Sequence, residues 1–207
     1  MSSSNATNYQ IPWNKGKLVG QKAPLKPPQV WAIRVRLQLA DKKRDLALFN
    51  LAVDSKLRGC DLLRIRVSDL RIGGEIRHRA KIIQSKTGNP VQFEVTKCTR
   101  EADDDWCNFK ELQPHDWLFP SRKDRSKHLT TRQYARLVDS WISSIDLPCS
   151  SYATHSMRRT KATLIYRKTG NLRAVQLLLG HTKIESTVRY LGVEVEDALA
   201  LAEAIEL

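Results

Sequence analysis

Apolar residues recur at helical spacing from Pro28 onward. Val30, Ile33, Val35 and Leu37 predict one helix, and Leu46, Leu48, Phe49 and Leu51 a second, with Asp41 placed to cap it. Residues 57–65, LRGCDLLRI, predict a further helical stretch that sets Arg58 and Asp61, three apart, on one face. Between 71 and 95 the period shortens into β-rich runs broken by Gly73-Gly74 and Thr87-Gly88-Asn89-Pro90, which predicts a small antiparallel sheet of three strands. Lys86, in QSKT, stands at a hairpin tip. Helical character returns in the acidic stretch 99–112, and the apolar DWLFP of 116–120 is expected to tie two layers together. Thr130 or Thr131 caps a helix through Tyr134, Leu137, Val138, Trp141 and Ile142. His155 opens the next helix, Gly170 ends it, Asn171 caps another and Gly180 ends that one. The expected fold class is α+β, mainly α, with a helical domain over residues 28–191 that carries the three-stranded sheet.

The two ends lack this pattern. Residues 1–27 are rich in Ser, Asn, Gly, Lys and Pro and read as a flexible basic arm, either tracking DNA or without function. In residues 192–207, Val195, Ala198, Leu199, Ala202 and Ile205 fall on one stripe, so this amphipathic helix needs a groove on its own chain or on a neighbour.

Composition narrows the function. With 207 residues, 41% of them hydrophobic, the chain fills one core rather than two. The net charge is +13 although the last segment holds Glu194, Glu196, Asp197, Glu203 and Glu206 without a basic residue, so the body is more basic than the mean. Such a body favours a polyanion, nucleic acid before membrane, because no apolar segment is long enough to span or anchor. A merely soluble basic surface is the plain alternative. Arg122, Lys123, Arg125 and Lys127 form a dense basic run that suits either a solvated loop or phosphate contacts. The cysteines, Cys60, Cys98, Cys107 and Cys149, have neither C-x-x-C nor zinc-ligand spacing and read as free thiols in a reducing cytoplasm.

The candidate chemistry comes from four separated segments. Arg58 and Arg158 can each present a planar fork to phosphate oxygens. Lys86 can protonate a departing sugar oxygen, His155 and His181 can donate hydrogen bonds or carry protons near neutral pH, and Tyr190 can act as a nucleophile. Each of these is common alone; a helical His-x-x-Arg is more often a surface or capping pair.

Taken in order, Arg58 in LRGCD, Lys86 in the hairpin, His155-Ser156-Met157-Arg158, Leu179-Gly180-His181 and Tyr190 resemble the catalytic box of the tyrosine recombinases, the phage-integrase family. The resemblance covers about residues 30–191. It implies that Tyr190 attacks a phosphodiester of double-stranded DNA to form a 3′-phosphotyrosyl link and free a 5′-hydroxyl, with neither metal nor ATP. Arg58, Arg158 and His181 would stabilise the phosphorane-like charge. Lys86 would be the general acid for the 5′ oxygen, His155 the acid/base on the tyrosine, Asp61 a support for the active-site arginine or histidine, and Arg159 a backbone contact. A homo-oligomer on DNA, dimer to tetramer, an accessory or partner recombinase, and a nucleoid-associated location follow from the same resemblance. The segment ahead of Arg58 departs from the family pattern, since a separate helical DNA-clamping domain usually stands there. Relaxation of DNA in the manner of a type IB topoisomerase, or a catalytically silent DNA-binding role, remain the other readings of the box.

Overall fold

The computed structural model describes residues 21–192 and Glu203. The expected C-terminal helix, and the first twenty residues of the expected arm, lie outside the described residues. Helices α1 (Pro27–Leu39) and α2 (Lys43–Ser55) lead to two short turns of helix, α3 (Gly59–Leu62) and α4 (Val67–Leu70). Strands β1 (Arg71–Ile72), β2 (Glu75–Ile76), β3 (Arg79–Ile83) and β4 (Pro90–Glu94) follow. The rest is helical: α5 (Lys97–Lys110), α6 (Thr131–Ser143), α7 (Thr154–Thr169), α8 (Leu172–Leu179) and α9 (Ile184–Leu191). The mainly helical α+β class is as the sequence predicts. No described helix is long and apolar enough to cross a membrane.

The single sheet of three strands resolves instead into two separate hairpins, β1 with β2 and β3 with β4, both antiparallel. Pairing in the second runs from Arg79 opposite Glu94 to Ile83 opposite Pro90. Three other expectations change. Asp41 does not cap α2; its backbone turns through a left-handed conformation (φ 47°), and Lys42 precedes the helix without a side-chain cap. Residues 57–65 hold only one turn of helix, with Arg58 as its extended N-cap residue. Val35 faces outward, whereas Val30, Ile33 and Leu37 are buried. Of the cysteines, only Cys107 is buried, and all four are free thiols.

Helix α2 is the central pillar: residues 47–55 are buried along their whole length, against α1, α5 and α7. Most of these residues are apolar, and the polar Asn50, Asp54 and Ser55 are buried among them. The DWLFP segment ties layers as expected, since Leu118 N donates to Ile65 O at 2.9 Å and Trp106 Nε1 donates to Leu118 O at 2.8 Å. Thr130 caps α6, its hydroxyl accepting from Gln133 N at 3.1 Å. A second, smaller core of Ala162, Val175, Leu179 and Leu191 joins α7, α8 and α9 into a layer of their own.

Charges stitch that layer to the pillar. Asp54, near the end of α2, accepts from Lys161 of α7 at 2.7 Å and from Thr96 and Thr99. Lys161 also reaches Glu94 of β4 at 2.7 Å, and the fully buried Lys56 reaches the same carboxylate at 2.8 Å. Burial alone would raise the Asp54 carboxyl, yet Lys161 and the two threonines hold it below the usual range. Because Glu94 and Lys161 are partly exposed, removing one partner costs less than the roughly 3–5 kcal/mol of a fully buried pair.

One carboxylate lies outside this balance. Asp103 is fully buried on α5, its oxygens have no hydrogen-bond partner among the described residues, and burial followed by the Asp54 charge pushes its pKa well above the ordinary value. Between the unfolded value of about 3.9 and its raised folded value, the unfolded chain releases a proton that the folded chain keeps, so this group subtracts stability as pH rises through that window. Asp103→Asn is expected to flatten the fall of melting temperature as pH rises above about 4, as followed by thermal denaturation across pH; an unchanged slope would mean the carboxyl ionises freely.

Candidate active site

The site forms where the second hairpin meets the α7–α9 layer. Helix α7 opens with a local bond, Ala153 N to Ser156 Oγ at 3.1 Å, so His155 lies in its first turn and Arg158 one turn inward. Arg158 is 2% exposed. One turn further on, Lys161 is locked into the Asp54 and Glu94 carboxylates, which fixes the rotation of α7 and hence the direction of Arg158.

Helix α8 contributes its end. Gly180 terminates it with φ 65°, leaving the Leu179 carbonyl without an intrahelical partner. That oxygen accepts from Arg158 Nη2 at 2.8 Å and from Gln84 Nε2 at 3.1 Å. The negative end of a helix suits a cation, so the arginine serves the helix as the helix holds the arginine. A Cβ at residue 180 would lie 2.4 Å from Val91 Cγ2 and 3.0 Å from Gln84 Nε2, so the turn can press against the hairpin only as glycine.

Arg58 enters from the other side. Its Nη1 donates to Gln84 Oε1 at 2.7 Å and stands 3.9 Å from Asp61 Oδ2. Asp61 is buried, and its Oδ1 accepts from Ser85 N at 2.8 Å, anchoring the base of the hairpin turn. The two arginines are thereby joined through Gln84 and the Leu179 carbonyl.

His181, directly after the glycine, sits between Arg158 and α9. Its Nε2 is 3.4 Å from Arg158 Nη2 and its Nδ1 3.0 Å from the buried Thr187 Oγ1. Desolvation, then Arg158 and Arg58, push its pKa down to about 4, so the free ring is neutral at neutral pH. A neutral ring accepting at Nε2 from the guanidinium carries its proton on Nδ1 and donates to Thr187.

Tyr190 completes the cluster from the last turn of α9. Its ring meets that of His181 edge-on at 5.4 Å, and the guanidinium carbons of Arg158 and Arg159 lie 5.6 and 5.5 Å from its centre. The hydroxyl contacts the backbone carbonyl of His155 at 3.5 Å. Burial raises the phenol to about 12 although Arg158, Arg159 and Arg58 pull it down, so the tyrosine is protonated in the free protein. His155 is exposed at the mouth; partial desolvation and then Arg158, Arg58 and Arg159 lower its pKa. Both residues line a cleft of about 590 Å³ together with Arg159, Lys183 and Arg189. Two buried guanidinium nitrogens, Arg158 Nη1 and Arg159 Nε, have no hydrogen-bond acceptor among the described residues.

Part of the stretch expected to be an arm is packed beside this cleft. Lys22 O accepts from Arg159 Nη1 at 2.8 Å, Ala23 N donates to Ser151 O at 3.0 Å, and Leu25 N donates to Thr160 Oγ1 at 3.0 Å. Arg159 is therefore held by backbone and stacked towards Tyr190.

The other sequence candidates lie further out. Lys86 is exposed at the hairpin tip and has no hydrogen bond or ion pair among the described residues. Arg122, Lys123, Arg125 and Lys127 sit on an exposed loop, where Lys127 pairs with Asp124 at 3.1 Å. Arg122 and Arg125 border a different cleft, with Lys43 and Phe109. Sequence reasoning missed Gln84 and Thr187, which hold an arginine and a histidine of the cluster. Their one sequence signal is position: Gln84 stands two residues before Lys86, and Thr187 three before Tyr190.

The chain has relatives among known proteins. The chain is 24% identical over 156 residues to the probable integrase/recombinase YoeC of Bacillus subtilis (strain 168), covering 75% of this chain and 81% of that one. It is 27% identical over 161 residues to the tyrosine recombinase XerC of Caldanaerobacter subterraneus subsp. tengcongensis, covering 74% of this chain and 42% of that one. The crystal structure of the XerH site-specific recombinase bound to its difH substrate superposes with a TM-score of 0.67 at 20% identity, covering 87% of this chain and 52% of that one, a likeness of fold. The chain thus spans about half the length of XerC and XerH. The model of the phage integrase family matches residues 26–196, most of the chain, and this protein belongs to that family, the tyrosine recombinases.

Proposed function

We propose that this chain carries out site-specific strand transfer on double-stranded DNA through a covalent 3′-phosphotyrosyl intermediate, with Tyr190 as the nucleophile. The observation that carries this reading is the unmet, buried Nη1 of Arg158 beside Arg58, His181 and the Tyr190 ring. Leaving a buried cationic donor without an acceptor is costly, and a phosphodiester oxygen is an acceptor of the right charge and shape.

The chemistry follows from the geometry. The scissile phosphate takes a place between the two arginine forks, and its negative charge offsets the positive field that depresses His181 and His155. The Tyr190 oxygen attacks phosphorus as its proton passes to a base, for which the neutral His155 at the cleft mouth is the candidate. A 3′-phosphotyrosyl bond forms, the bond to the 5′ oxygen breaks, and Lys86, brought in by closure of the hairpin tip, protonates that oxygen. A 5′-hydroxyl from a second strand reverses the steps. Arg58 and Arg158 neutralise the charge that builds on the phosphorane, His181, protonated at Nε2 once the phosphate offsets the arginine field, adds a hydrogen bond, and Asp61 keeps Arg58 and the hairpin turn in place. Arg159 supports the tyrosine ring, while Arg122, Lys123, Arg125 and Lys127 contact flanking phosphates. Assembly of two to four copies on DNA, an accessory or partner recombinase, and a nucleoid location belong to the same proposal.

Nicked suicide duplexes drawn from the DNA around the coding sequence, and from a random-sequence pool, test the reading by trapping protein on DNA resistant to detergent. The wild type is expected to form such an adduct, and Tyr190→Phe to form none while still shifting the same duplex in a gel. Arg158→Lys, which loses the planar fork, should slow single-turnover cleavage by roughly 10²–10³-fold. Adduct formation undiminished in Tyr190→Phe would exclude this nucleophile.

A pH prediction follows from the histidine at the mouth. As a base, His155 works only when neutral, and its pKa lies below the ordinary 6.5. Cleavage at subsaturating DNA, which reports the free protein, should therefore decline as pH falls through that lowered value, and cleavage at saturating DNA should decline closer to the ordinary one. His155→Gln should be slower and lack the acid limb. A limb that survives the substitution would assign the base to another group.

A further inference from the structure

We propose that Gln84 is a positioning residue that couples Arg58 to Arg158, so that the two guanidinium groups act as one phosphate clamp; this rests on the strand-transfer reading above. Gln84 is 1% exposed, at the point where β3 gives way to the hairpin turn. Its side-chain carbonyl accepts from Arg58 Nη1 at 2.7 Å and from Thr87 Oγ1 at 3.1 Å, and its amide donates to Leu179 O at 3.1 Å. The same carbonyl of Leu179 accepts from Arg158 Nη2 at 2.8 Å. One planar amide and one backbone oxygen thus form the direct link between arginines that come from residues a hundred positions apart.

An amide is suited to this role where a carboxylate or a hydrocarbon is not. It must accept from a cation on one side and donate to a carbonyl on the other, which a carboxylate cannot do. A neutral bridge also leaves the positive charge of both arginines available to the phosphate, whereas a carboxylate in the same place would compete for it. Held by the amide at Nη1, Arg58 keeps its remaining donors for an oxygen of the substrate. The contact also explains the tight fit of residue 180, because Gln84 and Val91 occupy the space a side chain there would need. Since Gln84 and Lys86 share one turn, the bridge fixes the base of the loop whose tip carries the lysine; Gln84 N donating to Asn89 O at 2.9 Å and accepting, at its own carbonyl, from Gly88 N at 2.9 Å closes that turn.

The test is a double-mutant cycle read by single-turnover cleavage of the nicked suicide duplex, with DNA affinity and melting temperature measured alongside. Gln84→Met keeps the volume and removes the three side-chain bonds. It is expected to slow cleavage about 10- to 100-fold, the usual range for a residue that orients another, while changing DNA affinity less than about 3-fold. In an Arg58→Lys background the same substitution should cost under about 3-fold, because the group it orients has already lost its fork. Gln84→Glu, isosteric with the wild type, guards against a folding failure and should also slow cleavage, since it loses the donor to Leu179 O and sets a charge against Arg58. Equal slowing in both backgrounds would make Gln84 a packing residue and overturn the proposal, as would wild-type rates in both variants. Absence of any adduct from the wild type would overturn the strand-transfer reading itself, and the positioning role with it.

Discussion

The site depends on an unsatisfied helix end. Helix α8 stops at a glycine whose left-handed backbone turns the chain away and leaves the Leu179 carbonyl facing inward. A buried carbonyl needs a donor, and here two side chains supply one each, Arg158 from the next-door helix and Gln84 from a hairpin far upstream in sequence. This small arrangement solves two problems together. It satisfies the helix terminus, and it gives a nearly inaccessible guanidinium a fixed orientation without neutralising it, because a carbonyl carries only a partial charge. His181 follows directly on the same turn, so its ring is placed by the glycine that frees the carbonyl.

Around that point the structure separates anchoring from reactivity along one helix. On α7, Lys161 is fully engaged by two carboxylates, while Arg158, one turn before it, faces no carboxylate within ion-pair distance among the described residues. The first sets the helix in the core; the second keeps its charge available. The arginines of the cluster act on the titratable groups beside them. Desolvation and then these arginines lower both histidines, and the arginines oppose the burial that raises the Tyr190 phenol. A bound phosphate would offset the arginine field and raise all three groups, the histidines back towards their ordinary value and the Tyr190 phenol further above it, so the tyrosine needs a base when DNA is bound.

Much of this was legible in the sequence because it rests on local rules. The glycine ends, the Asn171 and Thr130 caps, and the helical stripes of α1 and α6 follow from spacing and from residues with one favoured backbone role. The ordered set of Arg58, Lys86, His155, Arg158, His181 and Tyr190 pointed to one family before any fold was known. Short elements were harder. Residues 57–65 alternate apolar and polar positions like a helix, but packing against the hairpin and α6 leaves only one turn of it. The β region has turn signals that mark where strands end, not which strands pair, so the same signals fit one sheet or the two hairpins that form.

Residue type and order along the chain carry the class of fold, the family and a set of candidate side chains for a phosphate. The folded chain sets how those side chains are held. It brought Gln84 between two arginines, set Thr187 behind His181, and packed residues 21–25 against α7, where the backbone at Lys22 holds Arg159. It also left Lys86 at an exposed tip and gathered Arg122 and Arg125 at another cleft. The reason is physical: a hydrogen bond between residues a hundred positions apart leaves no periodic trace in either segment, and whether a charge is buried, paired or free depends on neighbours that only the folded chain assembles.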